Sequence, residues 1–404
     1  MIESTSKPTI YGNSLQLVLK FRKNDMNSTA FTQTKRKKRL ANIELLRILA
    51  MVLIVANHFT GHGLKLMDYE FDNPCSIFNW LVRGIGYMGT NLFILISAYF
   101  LCKSNFKSKG LLLLWAQTLF YSVILYLITY ILGWHSLDIK GVALSFIPLI
   151  SSQYWFVTCY AALYILSPFL NKFIEALVIA GERVYLTFCF VLLLFFSVIP
   201  SFFYFSQWIN WGGSSGIVWF VVLYFIGGYI RNFLKIDEIK VKKEKVWIVT
   251  IILWCLPLIS KLIIAYTTNF VFGTVIGSSI FYVKNSIILV PASIMTFIAF
   301  FTFDIKNEKI VRSINWIASG IFSVYLIHDN GFVREHLWRY VVRYIHPDSY
   351  SLIYETFIVI ISIFCVCLLI DIIRKYIFKL LGYTSLPQKL TSRIVTYIDS
   401  KMKI

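Results

Sequence analysis

Long apolar runs recur along this chain of 404 residues, and they constrain its fold more than any other feature. Each run is about 17 to 23 residues long, which is enough for a helix to cross roughly 30 Å of hydrocarbon. In lipid every backbone polar group needs an internal partner, so helices are the default. The strand alternation of a barrel is not evident. The sequence therefore predicts an all-α, polytopic integral membrane protein.

Ten apolar segments are long enough to be membrane-spanning helices, and mostly short loops separate them. Their predicted bounds are about 42–62, 80–102, 110–132, 154–171, 184–200, 217–234, 246–266, 285–303, 313–330 and 352–373. The apolar segment 141–150 is too short to cross the bilayer, and we expect it to be re-entrant or interfacial. We predict one membrane domain at 40–382, with a basic, flexible tail at 1–39 and a second tail at 383–404.

The distribution of positive charge predicts the orientation of the chain. The formal net charge is +19, a value that also occurs in nucleic-acid-binding proteins. Most Lys and Arg residues, however, lie in short loops beside apolar runs. With the N-terminus inside, the cytoplasmic segments hold 30 of them and the outer loops hold six, which is the bias that membrane proteins show. We therefore predict cytoplasmic N- and C-termini, a lipid bilayer as partner and no binding of nucleic acid.

The first predicted helix carries three ionisable side chains in an otherwise apolar span. Glu44, Arg47 and His58 fall on one stripe, because the steps from Arg47 to His58 rotate by only about 20° net at about 100° per residue. Ionisable groups within a span are costly and mark functional sites by default. Simpler roles also fit. Arg47 can anchor at the interface, Glu44 can favour the helix N-terminus, and His58 can make an interhelical hydrogen bond.

Two other kinds of site are less well supported by the sequence. His58 and His62 are spaced four residues apart, as metal ligands on a helix can be, but no obvious third ligand accompanies them. We therefore expect no metal site. The seven Cys residues are scattered, and most of them lie in or beside apolar runs, so no disulfide framework is predicted.

Five stretches, in order along the chain, resemble the acyltransferase type 3 family of integral membrane acyltransferases. They read NIELLRILAMVLIVANH (42–58), GYMGTNLFILISAYFL (86–101), YWFVTCYAALYILSPFLN (154–171), VWFVVLYFIGGYIRN (218–232) and SGIFSVYLIH (319–328). The resemblance covers roughly residues 39–375. It implies a ten-helix domain that takes an acyl group, usually acetyl, from cytoplasmic acyl-CoA. The group passes to a hydroxyl of a carbohydrate or a related acceptor at or beyond the outer face.

The resemblance also implies roles for individual residues. Arg47 and His58 match the Arg and His of the family's first helix, and His328 matches a histidine that ends a later one. Many relatives have Asp where Asn91 stands. Many also have an Arg-x-x-Arg motif after the second helix, where this chain has lysines that can hold phosphate without the bidentate fork of arginine. These lysines are Lys103, Lys107 and Lys109.

Acyl transfer to an alcohol needs a base, and His58 is our candidate. It can take the hydroxyl proton and return it to the thiolate leaving group. Alternatively, it can carry the acyl group itself. Arg47, oriented by Glu44, is expected to hold donor phosphate near the cytoplasmic mouth together with the three lysines.

Four residues are candidates for binding the acceptor, because they are polar or aromatic and lie in the stretches quoted above. They are Asn91, Trp155, Tyr160 and His328. The two aromatic residues also fit an interfacial belt or core packing. The amide of Asn91 also fits a hydrogen bond to a neighbouring helix.

The chain is thus predicted to be a membrane O-acyltransferase in a bacterial plasma membrane, acetylating a cell-surface or secreted polysaccharide. Acetyl-CoA or another acyl-CoA would be the donor substrate, with no tightly bound cofactor, and polysaccharide-assembly proteins are candidate partners. The alternative is a transporter or flippase that moves a polar or lipid-linked substrate along the same stripe. Transporters often contain internal repeats, and no such repeat is evident in the sequence.

Overall fold

The computed structural model describes residues 40–66, 74–151, 153–203, 213–347 and 349–381, and within these ranges the fold is helical with no β-strand. We number the α-helices in chain order. They are α1 (Ala41–His58), α2 (Pro74–Gly86), α3 (Met88–Leu101), α4 (Ser108–Ile131), α5 (Ile139–Phe146), α6 (Trp155–Ala180), α7 (Glu182–Leu193), α8 (Ile199–Phe202), α9 (Ile217–Phe233), α10 (Ile236–Val241), α11 (Lys243–Phe272), α12 (Leu289–Phe300), α13 (Glu308–Ala318), α14 (Ile321–His328), α15 (Arg334–Val342) and α16 (Leu352–Leu380). The all-α prediction is confirmed.

Eight helical segments of the described chain are long and apolar enough to cross a membrane. They are Ala41–Gly63, Pro74–Leu101, Ser108–Ile131, Trp155–Ala180, Glu182–Phe202, Lys243–Phe272, Glu308–His328 and Leu352–Leu380. The shorter apolar helices α9 and α12 lie at the two remaining positions where the sequence predicts a span. Each of the ten predicted segments therefore contains an apolar helix, whereas a membrane crossing by all ten stays a prediction.

Several helices extend beyond the bounds predicted from hydropathy. The segment predicted at 80–102 begins at Pro74, and the one predicted at 154–171 continues to Ala180. A helix satisfies its own backbone hydrogen bonds, so it can continue past the end of its apolar run. The segment 141–150 forms the end of the short helix α5, which Asp138 caps by accepting a 2.6 Å hydrogen bond from the Gly141 amide. The two predicted tails, at 1–39 and 383–404, lie outside the described residues.

The first helix lies inside the bundle, where it packs against α2, α3, α13 and α14. In this span, 61% of the most apolar stretch of 18 residues is buried within the protein, whereas the corresponding share for α6 is 22%. Gly89 of α3 permits the closest approach, because a Cβ there would lie 2.6 Å from the Ala50 carbonyl oxygen. Small residues allow this kind of helix contact in membranes. The ionisable stripe of α1 therefore faces other helices instead of lipid.

The predicted orientation can be tested by labelling single cysteines in a cysteine-free background. The charge bias places Ser349 outside and Ser400 in the cytoplasm. A membrane-impermeant maleimide applied to intact cells should therefore label Ser349→Cys and spare Ser400→Cys, with both labelled after the cells are opened. The reverse pattern in intact cells would show that the orientation, and with it the helix count, is wrong.

Candidate active site

A change of helical form at the end of α1 presents two histidines on adjacent turns. The α-helix ends at His58, and a π-helical turn, Phe59–Gly63, follows it directly. The ring centroids of His58 and His62 are 5.5 Å apart. Single π turns are frequent at functional sites, because they shift side chains out of the regular helical register. This turn is the first structural feature that marks the His58 end of α1 as a candidate site.

His58 is paired with the second histidine that the sequence singled out, His328 at the end of α14. The His58 Nδ1 and the His328 Nε2 are 3.0 Å apart. The His328 Nδ1 lies 2.6 Å from the Val324 carbonyl oxygen, which can only accept a hydrogen bond. Nδ1 of His328 is therefore the protonated nitrogen, and in the neutral pair its Nε2 accepts from His58 Nδ1–H. His58 Nε2 is left with a free lone pair, which is the state that a general base needs.

A buried carboxylate completes the group on the side of the His58 Nδ1. Asp329 follows His328 in sequence, is 2% exposed, and places Oδ1 3.7 Å from that nitrogen. Arg334 Nη1 lies 3.3 Å from the same oxygen and holds it in place. A carboxylate here favours the imidazolium that forms when His58 accepts a proton, as in other base–carboxylate arrangements. We call His58, His328 and Asp329 the histidine cluster.

A small cavity of about 160 Å³ adjoins the histidine cluster. Its wall includes His58, His62, Trp155 and a lysine, Lys284. The remaining lining residues are Ile54, Asn57, Gly86, Tyr87 and Thr90. Of the residues predicted to contact the acceptor, Trp155 lies in this wall. His328 does not line the cavity, but it is hydrogen-bonded to His58, which does. We call this space the catalytic cavity.

Lys284 is fixed in the cavity wall by neighbours on three sides. Its ammonium donates to the Ser215 hydroxyl at 2.7 Å and lies 4.6 Å from the centroid of the Trp155 ring. Its backbone carbonyl accepts from Asn91 Nδ2 at 2.7 Å. A positive charge in a cavity of low dielectric constant acts far more strongly than in water. This lysine therefore brings a cation next to the base.

Asn91 and Tyr160, the other two residues predicted to bind the acceptor, do not line this cavity. Asn91 is fully buried, donates from Nδ2 to the carbonyl of Lys284 and to Ser293, and accepts from the Trp219 indole at 3.0 Å. Its amide thus positions the segment that carries Lys284. Tyr160 stacks on Phe156 with an interplanar angle of 16°. Acceptor contact by either residue stays a prediction that this geometry does not favour.

The other end of the α1 stripe is a separate region. Arg47 Nη1 donates to Glu44 Oε1 at 3.1 Å, as the spacing predicted. Arg47 and His58 are about 16 Å apart along the helix at 1.5 Å per residue. The Glu44 carboxylate is buried, and its Oε2 has no hydrogen-bond partner in the described part of the chain. Both charged groups can therefore still bind a ligand.

The three lysines of the predicted donor site lie in and beside the loop between α3 and α4. Lys103, Lys107 and Lys109 are all exposed. The backbone at Lys107 is tied to α6 by hydrogen bonds of its N–H and C=O with the Tyr164 hydroxyl, at 3.2 and 3.0 Å. The loop is thus fixed while its ammonium groups remain free to move, a combination suited to binding the phosphates of a large ligand.

The expectation of no metal site rested on the lack of a third ligand, and the structure supplies a candidate. Donor atoms of His58, His62 and Asp329 all lie within 4.8 Å of one another. Two of them already have partners, because Asp329 pairs with Arg334 and His58 with His328. A cation beside the carboxylate opposes a second cation there. These three residues could hold a metal ion only after Arg334 and His328 release them.

Two residues of the candidate site, Lys284 and Asp329, were not found from the sequence. Lys284 was counted only as an outer-loop charge, and Asp329 was not weighed at all. The signal for Asp329 was its position directly after the histidine at the end of the YLIH stretch. The signal for Lys284 was weaker: it is a lysine directly before an apolar run, in loops that hold few cations.

The fold and the site together define a class, namely a multi-pass membrane protein with a buried histidine cluster at one end of an interior helix. A family model described as an acyltransferase domain matches residues 40–372, so the chain belongs to the acyltransferase type 3 family. Neither the curated proteins nor the solved structures include a match to this chain. Family membership makes it a membrane acyltransferase and disfavours the transporter alternative.

Proposed function

We propose that this protein transfers an acetyl group from cytoplasmic acetyl-CoA to a hydroxyl of a cell-surface or secreted polysaccharide. The observation that carries the proposal is the histidine cluster, in which the hydrogen bond to His328 leaves His58 Nε2 as a free base beside the catalytic cavity. Ester formation from a thioester and an alcohol needs a base at the hydroxyl and a positive charge at the carbonyl oxygen. His58 and Lys284 offer both.

In the proposed reaction, the acceptor hydroxyl gives its proton to His58 Nε2 while its oxygen attacks the thioester carbonyl. Negative charge then develops on the carbonyl oxygen, where the Lys284 ammonium stabilises it. The carbon–sulfur bond breaks, and the imidazolium returns the proton to the CoA thiolate. Asp329 stabilises the imidazolium between these two steps. A two-step route, in which His58 first carries the acyl group, uses the same residues and the same free nitrogen.

The donor enters from the cytoplasmic side in this proposal. Arg47 binds a donor phosphate through charge-assisted hydrogen bonds, and Glu44 fixes the guanidinium. The lysines at 103, 107 and 109 add positive charge around the nucleotide end. The extended arm of CoA then covers the distance of about 16 Å along α1 to His58. The buried Glu44 Oε2, which has no partner among the described residues, can accept a hydrogen bond from an amide of that arm.

The proposed function is tested by nuclear magnetic resonance of glycans from cells with and without the gene. We expect O-acetyl signals of surface or secreted polysaccharide to disappear on deletion and to return with the wild-type gene. Return of the signals with a His58→Gln gene, produced at the same level in the membrane, would contradict the proposed chemistry. Unchanged glycan signals after deletion would contradict the polysaccharide acceptor.

A further inference from the structure

The few positive charges in the predicted outer loops are gathered at one place. These loops hold six Lys and Arg residues, in keeping with the general scarcity of outer cations in membrane proteins. Lys284 lines the catalytic cavity, and four others line a second, larger cavity beside it. Only Lys140, on α5, is in neither wall. Five of six cations against two connected walls is the pattern expected of a site for negative charge.

The second cavity has a volume of about 780 Å³ and opens beside the π turn of α1. Ligand sites of proteins commonly measure about 300–1,000 Å³. His62 lines both cavities, so the two spaces adjoin each other at this side chain. We call it the basic vestibule. Its charged lining residues are Lys65, Arg334, Glu335, Arg339 and Arg343.

Positive charge in the vestibule exceeds the negative charge available from the described residues. Arg339 pairs with Glu335, and Arg334 pairs with Asp329 at 3.3 Å. Lys65 and Arg343 are exposed and have no ion pair within the described ranges. Lys65 also adopts a left-handed backbone with φ of 48°, a conformation that non-glycine residues rarely adopt without a local reason. Among the described residues, two of the four cations therefore have no anionic partner and can meet a ligand.

A fifth cation, half-buried, lies against the same π turn. The Arg83 guanidinium contacts Gly61, where an added Cβ would lie 2.6 Å from its Nη1. Its Nη2 donates to the Tyr87 hydroxyl at 3.1 Å. Its Nε and Nη1 are buried and have no hydrogen-bond partner within the described part of the chain. Buried donors that lack an acceptor are costly, and an anion that reached these two nitrogen atoms would relieve that cost.

From these observations we propose that the basic vestibule binds an acidic carbohydrate, so that the acceptor carries carboxylate or phosphate groups near the hydroxyl that is acetylated. The inference rests on the proposed function, because it takes the catalytic cavity as the place of reaction. Arginine binds carboxylate and phosphate through two parallel hydrogen bonds. A chain held by the vestibule cations would extend past His62 and place one sugar at His58.

Direct binding tests this proposal without any acyl transfer. The protein is placed in nanodiscs of zwitterionic lipid, and binding of a fluorescent uronic-acid hexasaccharide is followed by anisotropy. The comparison ligand is the same hexasaccharide after reduction of its carboxyl groups. We expect the acidic form to bind at least about tenfold more tightly at low salt, and the difference to shrink as salt screens the charges.

The variant for this test is the double change Lys65→Gln and Arg343→Gln, because neither side chain forms an ion pair with another described residue. It should lose most of the preference for the acidic ligand, whereas the matched control Lys140→Gln should keep it. Equal binding of the two hexasaccharides by the wild type, or full preference in the double variant, would overturn the proposal. So would acidic binding that appears only after Asp68, Glu70 and Asp72 are neutralised, because these carboxylates would then already fill the vestibule.

Two further measurements distinguish this proposal from the proposed chemistry at His58 and from binding of lipid headgroups. His58→Gln should keep the preference for the acidic over the reduced hexasaccharide, because that preference comes from the vestibule cations, so a failure of the proposed chemistry leaves this result intact. Adding anionic lipid to the nanodiscs distinguishes a carbohydrate site from a lipid headgroup site. Loss of hexasaccharide binding at a few per cent of anionic lipid would assign the vestibule to lipid and overturn the proposal.

Discussion

Replacing His58 by glutamine is expected to lower the rate of acyl transfer by about 10² to 10⁴, the usual contribution of a general base. Glutamine keeps a side-chain amide that can donate to His328, as the His58 Nδ1–H does at 3.0 Å. It cannot accept and return a proton at neutral pH. The measurement is the initial rate of labelled acetyl transfer by purified protein in proteoliposomes, with an acceptor fraction from cells that lack the gene.

The matched control is His346→Gln, at a histidine whose side chain is 72% exposed and paired with Glu355, outside both cavities. This variant should retain a rate close to that of the wild type. A His58→Gln protein that also stays near the wild-type rate would show that His58 is a packing residue. If His58→Gln is inactive and labelled acetyl still becomes bound to the protein, the covalent carrier is a different residue.

The course of α1 was readable from sequence because membrane helices obey simple rules. Each of the ten apolar runs contains an apolar helix in the structure, and the fixed rotation per residue placed Glu44 beside Arg47. The observed pair, with N and O atoms 3.1 Å apart, follows from that local spacing alone. Hydropathy misplaced several helix ends, since helices such as α6 continue past their apolar runs.

Contacts between residues that are far apart in the sequence could not be predicted from hydropathy and helical periodicity. His58 and His328 are 270 positions apart, and no periodicity within either helix shows that their rings meet. The resemblance to the family marked both histidines but left their relation open. The third possible metal ligand, Asp329, is likewise distant in sequence from His58 and His62. Asp329 became visible as a partner only through the packing of α14 against α1.

The predicted donor-site lysines lie where a ligand could reach them, whereas the predicted acceptor residue Asn91 does not, and the chemistry of the side chains explains this difference. Arg47 and the loop lysines belong to segments whose exposure follows from charge and position, and the structure finds the lysines exposed as expected. Asn91 is an uncharged amide, which a protein can use to hold its own backbone as readily as to hold a ligand. In this fold it holds the carbonyl of Lys284. The residue it supports, and not the amide itself, faces the catalytic cavity.

Replacing Lys284 by methionine is expected to lower the kcat of acyl transfer by about 10² to 10³, the usual cost of removing one group that stabilises an oxyanion. Methionine keeps the length and the contact with Trp155 but removes the ammonium. The backbone carbonyl still accepts from Asn91, so the segment should keep its place. Because the oxyanion exists only in the transition state and the intermediate, the KM for acetyl-CoA should change little.

Lys261→Met provides a closely matched control for the loss of a buried lysine. The Lys261 ammonium also lies over an indole ring, 3.6 Å from the centroid of Trp80, and donates to the hydroxyls of Ser278 and Ser279. It does not line the catalytic cavity. Equal losses of kcat in the two variants would assign the effect to folding. A large loss confined to Lys284→Met would support a role of its positive charge at the reacting carbonyl, because Lys284 shares the cavity wall with His58 and Lys261 does not.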